Sequence, residues 1–173
     1  PCPITQYAVH KVFNEFQARE YREKHGMRIT GLRAAHISGA DKLIGSVDHV
    51  QCIVQPALGQ KVVLPHRDRM RCVVYADDIA EVFGRLALAP APQHAIYNSG
   101  GQPLSLGQIA DMVRQEIPDA DIRFEQNTGA QEISGGYLFD NDRLTSEFGI
   151  QYPPYQQRIA EMVESIRRSH ATA

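Results

Sequence analysis

Cysteine is scarce in this chain: Cys2, Cys52 and Cys72 stand far apart and never in a C-x-x-C spacing. That pattern argues against a disulfide framework or a cysteine-based zinc site. It fits buried thiols in a reducing compartment, so the cytoplasm is the expected location. No stretch comes near the ~18 consecutive apolar residues a membrane-spanning helix needs, and the N-terminus lacks a basic-then-apolar secretion pattern. An excess of one charge is also missing. A formal net charge of -2 gives no overall pull toward nucleic acid or an anionic membrane, so a charged ligand has to be held by a local cluster. The seven histidines form no H-x-x-x-H or H-E-x-x-H pattern, and G-x-S-x-G is absent. Neither a metal site nor a serine-hydrolase elbow is expected.

What is present is ordinary for a folded protein. With 43% hydrophobic and 22% charged residues, the sequence reads as one compact domain over 1–173, without repeat, low-complexity tract or interdomain linker. A charged stretch from Tyr7 to His25, with Val12, Phe13 and Phe16 on one side and Gly26 behind it, predicts a helix with a left-handed cap. A short strand-like run over 27–35 leads to a turn signal at Ser38-Gly39. Ser46 is the expected cap of a helix closed by Gly59, with Pro56 disturbing its last turn. Strands are expected over 61–64 and 71–75, joined by a loop or hairpin that points the polar run His66 to Arg69 outward. Asp77 or Asp78 is the expected start of a helix striped by Ile79, Val82, Phe83 and Leu86.

Ala95 to Asn98 reads as a strand turning at Gly100-Gly101. Ser105 and Gln108 form a capping box for a helix that Pro118 stops, and Ile122 to Phe124 follows as a strand. The polar, glycine-containing run 126–136 is an expected loop. Asp140 caps a short helix ending at Gly149, and Ile159, Met162, Val163 and Ile166 stripe a last one. Helices alternating with strands make the fold class α/β.

Tyr7 and Lys11 stand four apart on the first predicted helix, so both side chains leave the same face. A phenol ionises near pH 10 and is a poor base at neutrality. An ammonium ~4 Å away at an effective dielectric of ~20 stabilises a phenolate by ~4 kcal/mol, enough to make proton transfer feasible. His66, Arg67, Arg69 and Arg71 could grip an anionic substrate, since arginine offers bidentate donors to phosphate; a solvated loop is the equal alternative. Asp77 and Asp78, directly before an apolar stripe, read as caps rather than acid/base groups. His36 and His49 read as polar core or pocket-lining residues.

The motifs around these residues resemble the extended short-chain dehydrogenases, the NAD-dependent epimerase/dehydratase family, from Pro3 to about Arg168. "PITQYAVHK" at 3–11 is similar to the family's Pro-x-x-x-Tyr-x-x-x-Lys helix, and "GLRAAHISGAD" at 31–41 to its Leu-Arg strand and following turn. "RCVVYADDIA" at 71–80, "YNSGGQPLSLGQIADMV" at 97–113 and the stretch from Asp140 to Gly149 resemble three later motifs in the same order. His10, Ala34, Ser38 and Ala40 depart from the family pattern, which bears on the shape of the nicotinamide and substrate pocket.

The resemblance implies a Rossmann-type fold with a small substrate-binding subdomain drawn from parts of 40–70 and 95–154. It implies proton exchange by Tyr7 with a substrate hydroxyl or carbonyl, and a ribose contact from Lys11. Cofactor binding is expected from Tyr7, Lys11, Ala34, His36 and Ile37, and substrate binding from Ser38, Arg67 and Arg71. None of the thirteen glycines forms the G-x-x-G-x-x-G or G-x-G-x-x-G loop that grips pyrophosphate. The chain is therefore expected to be the C-terminal part of a longer enzyme, with an N-terminal dinucleotide-binding half of roughly 100–150 residues absent and the piece itself inactive. The expected cofactor of the parent is NAD or NADP. Its expected substrate is a nucleotide sugar, with another small hydroxyl-bearing metabolite or a non-catalytic role as alternatives. A small-molecule substrate and a second copy of the chain are the expected partners, rather than nucleic acid or a membrane.

Overall fold

The computed structural model describes residues 3–125 and 138–171. The expected loop over 126–136, like Cys2, falls outside the described residues. The chain begins with α1 (Gln6–His25), whose first turn is capped by Thr5: its hydroxyl accepts from the Ala8 amide at 3.1 Å. Gly26 ends the helix at φ 63, a conformation only glycine adopts without strain. No residue of α1 is buried. Val12 is half-buried, while Phe13 and Phe16 stay exposed.

After α1, β1 (Gly31–Arg33) runs parallel to β5 (Ile96–Asn98) as a two-stranded sheet. A second sheet has the order β2 (His36–Ser38), β4 (Met70–Tyr75), β6 (Gln102–Ser105), parallel at the first pairing and antiparallel at the second. A third pairs β3 (Val62–Leu64) with β7 (Ile122–Phe124) in parallel. β3 and β4 flank His66 to Arg69 but take different partners, which corrects the hairpin alternative. β3 has to meet a strand from the far side of the chain because parallel pairing needs a long crossover.

Three helices, α2 (Asp48–Ala57), α4 (Leu106–Glu116) and α6 (Tyr155–Ala171), close over the second and third sheets. Val50, Ile53, Leu106, Ile109, Val113, Ile159 and Met162 are fully buried there. Each such side chain contributes ~1.5–3 kcal/mol from removal of apolar surface. A smaller core joins Val82 and Leu86 of α3 (Ala76–Leu88) to Tyr97, Ile150 and Leu144 of α5 (Asp142–Phe148). Phe83 lies outside it and is half exposed. One residue beyond Val82, it is turned about 100° away from the buried stripe.

The helix starts divide by the range of the interactions that set them. Ser105 and Gln108 form the expected capping box, with amide-to-side-chain bonds of 3.1 and 2.8 Å. α2 instead starts after Val47 without a side-chain cap from Ser46. Its first carboxylate, Asp48, accepts from the His49 amide at 2.8 Å. Pro56 sits inside the last turn of α2 without ending it early. Asp78 is buried in α3 and pairs with Arg158 of α6, so it links two helices rather than capping one. Among the described residues no helix is long and apolar enough to cross a membrane.

Candidate active site

Tyr7 and Lys11 do share one face of α1, in the open. Tyr7 is 71% exposed, and the Lys11 ammonium lies over its ring, 5.1 Å from the centroid. That is a cation–π arrangement, with the ammonium over the ring. The pair opens into a cleft of about 550 Å³ between α1 and the β1 segment, lined also by Asn14, Glu15, Arg33 and Ala34. A second cleft of about 590 Å³ lies against the exposed flank of α3, between Arg28 and Pro92. Of the side chains lining it, Arg28 and Thr30 alone are polar, which gives no acid/base pair.

The walls of the Tyr7 cleft are tied together. Arg33 donates from Nε to Glu15 Oε1 and from Nη2 to Glu15 Oε2, both at 2.7 Å, and Arg22 Nη1 donates to the Ile29 carbonyl at 2.6 Å. Hydrogen bonds from Arg33 hold the Glu15 carboxyl below its ordinary range. Sequence reasoning missed Asn14 and Glu15, although a signal existed. Glu15 stands four residues after Lys11, on the same helical stripe as Tyr7.

The other expected site residues divide. Ala34 lines the cleft with Tyr7 and Lys11; His36, Ile37, Ser38, Arg67 and Arg71 do not. His36 uses Nδ1 on the Cys72 carbonyl at 3.2 Å, and burial, followed by the charge of Arg71, pushes its imidazole down to about 4. The Ile37 carbonyl accepts from Lys42 Nζ at 2.9 Å and faces His49 Nε2 at 3.2 Å. Ser38 is fully buried, its hydroxyl 2.5 Å from that of Tyr155. It is the last residue of β2, inside the core, and the expected turn follows it, with the Lys42 amide donating to the Gly39 carbonyl at 3.1 Å.

Arg71 is 8% exposed, and its guanidinium donates to Asp48 from Nε at 3.0 Å and from Nη2 at 2.6 Å. Arg67 is exposed and pairs with Asp111 at 2.5 Å, its guanidinium over the Phe124 ring. The Arg71 fork is therefore occupied within the protein, whereas Arg67 is tied to Asp111 through Nη2 at an exposed position. Asp48, which the sequence did not single out, is the centre of the polar cluster formed with Arg71, Arg69 and His49.

The sequence profile of the NAD dependent epimerase/dehydratase family matches residues 1–100, more than half of the chain and all of the Tyr7 cleft. The chain belongs to that family. Among solved structures, this family member is similar to a GalE-like L-threonine dehydrogenase from Cupriavidus necator, with a TM-score of 0.79 and 23% identity over 98% of the chain. It is likewise similar to L-threonine 3-dehydrogenase from Trypanosoma brucei, with a TM-score of 0.79 and 22% identity over 97% of the chain. A UDP-glucose 4-epimerase from Thermotoga maritima, bound to UDP-glucose, gives 0.81 and 18% over 98%. At these identities the likeness carries the fold, an α/β Rossmann-like one. The chain spans 56, 54 and 56% of the lengths of those three proteins. No curated protein matches the chain by sequence.

In a member of this family the residues present fit one end of a nicotinamide dinucleotide. An exposed phenol and an ammonium share a cleft large enough for a ring and a ribose. A pyrophosphate-gripping glycine loop is not found among the 173 residues.

Proposed function

We propose that this chain supplies the proton-transfer and substrate-binding part of an NAD(P)-dependent enzyme acting on a hydroxyl-bearing small molecule. The observation that carries the reading is the juxtaposition of Tyr7 and Lys11 in an open cleft. NAD(P), when bound, supplies the hydride acceptor or donor. Tyr7 takes the substrate hydroxyl proton at its phenolic oxygen, or returns one to a carbonyl. Lys11 places a positive charge over that ring, where it offsets the negative charge the phenol gains as the proton moves. Glu15 and Arg33 position the helix that carries both groups against β1.

The pyrophosphate end of the dinucleotide is held, on this reading, by an N-terminal half outside these 173 residues, and the chain alone turns over slowly or not at all. The free thiols Cys52 and Cys72, which burial raises to about 12 and about 11, suit a cytoplasmic setting. Relatives of the same fold include L-threonine dehydrogenases and a UDP-glucose 4-epimerase, so both a small hydroxy compound and a nucleotide sugar fit the family.

Lys11→Met in the full-length enzyme tests the reading. It is expected to lower turnover at pH 7 by ~10- to 100-fold, with the deficit shrinking as pH is raised, because general acid/base groups typically contribute 10²- to 10⁴-fold. It is also expected to weaken NAD(P) binding. Unchanged turnover across the pH range would make Lys11 an ordinary surface residue and overturn the proposal.

A further inference from the structure

Resting on that reading, one residue narrows the substrate class. An arginine able to grip a phosphate has to present its planar fork of donors. Arg71 does not: Nε and Nη2 are held by Asp48, and Nη1 donates to the Met70 carbonyl at 3.1 Å. Arg69 Nη1 reaches the same carboxylate at 3.2 Å. Burial works to raise the Asp48 carboxyl, but hydrogen bonds from His49 and Arg71 outweigh it and hold the group well below the usual carboxylate range. The carboxylate is thus charged at any working pH.

This closed pair adjoins the proton-transfer cleft through a short run of chain. Ala34 lines the cleft; two residues on, the His36 ring meets that of His49 edge-on at 5.9 Å, and His49 follows Asp48. A pyrophosphate taking Arg71 would have to break two charge-assisted bonds and then lie beside a carboxylate of like charge, still held by Arg69 and the His49 amide.

We infer that Asp48, by closing the Arg71 fork, selects a small phosphate-free hydroxy compound over a nucleotide sugar. On this inference Asp48 determines specificity from beside the Tyr7 cleft, and a nucleotide sugar is rejected by electrostatics.

Titration of the full-length enzyme with UDP in a calorimeter tests this without depending on turnover. The wild type is expected to bind UDP with a Kd above ~100 µM. Asp48→Asn, which keeps the shape but removes the charge, is expected to tighten binding at least ~10-fold by freeing Arg71. Adding Arg71→Ala to that variant is expected to abolish the gain. A wild-type Kd below ~100 µM overturns the inference, as does a folded Asp48→Asn variant with no gain. Should Asp48→Asn fail to fold, the wild-type titration decides alone. Failure of the proton-transfer reading would instead appear as retained turnover in a Tyr7→Phe variant, with UDP binding unaffected.

Discussion

Glu15 and Arg33, 18 residues apart in sequence, meet through two parallel hydrogen bonds of 2.7 Å and clamp the helix bearing Tyr7 and Lys11 onto β1. Both partners are partly solvated, so screening limits the pair to ~1 kcal/mol. Because α1 buries no residue, that contribution is a large part of what holds it. Glu15→Ala is therefore expected to raise amide hydrogen exchange in the first three turns of α1 by about 5-fold while leaving α4 and α6 unchanged. Equal protection in both proteins would mean that α1 is held by something other than this clamp.

The second prediction concerns acid. An unfolded histidine ionises near 6.5. His36 is pushed down to about 4, first by burial and then by the positive charge of Arg71. Between these two values the unfolded chain binds a proton that the folded chain refuses, so stability is fully present above pH ~6.5 and declines as pH falls toward 4. Asp48 acts lower. Its depressed carboxyl contributes stability that is lost only below the ordinary carboxylate range, near pH 4. Melting temperature measured from pH 7 to 4.5 is expected to fall less steeply in His36→Gln than in the wild type. Identical slopes would show that the His36 imidazole does not govern this window.

Gly101 and Gly26 make a third test, because both have positive φ but only one is enclosed. A Cβ at Gly101, at φ 154, would stand 2.7 Å from the Val73 carbonyl oxygen and 2.9 Å from the Cys72 sulfur, where β6 crosses β4. A Cβ at Gly26 meets nothing within 4 Å. Gly26→Ala should cost about 1 kcal/mol for its left-handed backbone. Gly101→Ala adds overpacking of roughly 1–3 kcal/mol to its backbone strain. Urea unfolding of the two variants checks the order, and a larger loss for Gly26→Ala would contradict the close packing of β6 on β4.

How much of this was legible in the sequence follows from the range of each interaction. The Ser105–Gln108 box, the Gly26 and Gly149 caps and the Tyr7–Lys11 face are local patterns, readable from spacings of three or four residues. The burial of Ser38 was not legible because it comes from Tyr155, which lies 117 residues away in sequence. The same holds for Asp78, taken for a cap although Arg158 draws it into the core, and for Arg71, whose fork is closed by Asp48 from another element. Polar groups whose partners are distant in sequence carry no local signature. Those are the residues that separate an open anion grip from a closed one.

The central claim is that the Tyr7 phenol moves the substrate proton, and kcat for Tyr7→Phe in the full-length enzyme tests it most directly. Phenylalanine keeps the ring under Lys11 and removes only the oxygen, from a side chain that is 71% exposed, so folding has little to lose. The account predicts a loss in kcat of at least ~100-fold, with NAD(P) affinity and melting temperature close to those of the wild type. A Tyr7→Phe enzyme that retains more than ~10% of kcat would contradict it, since a general acid/base group contributes far more than that.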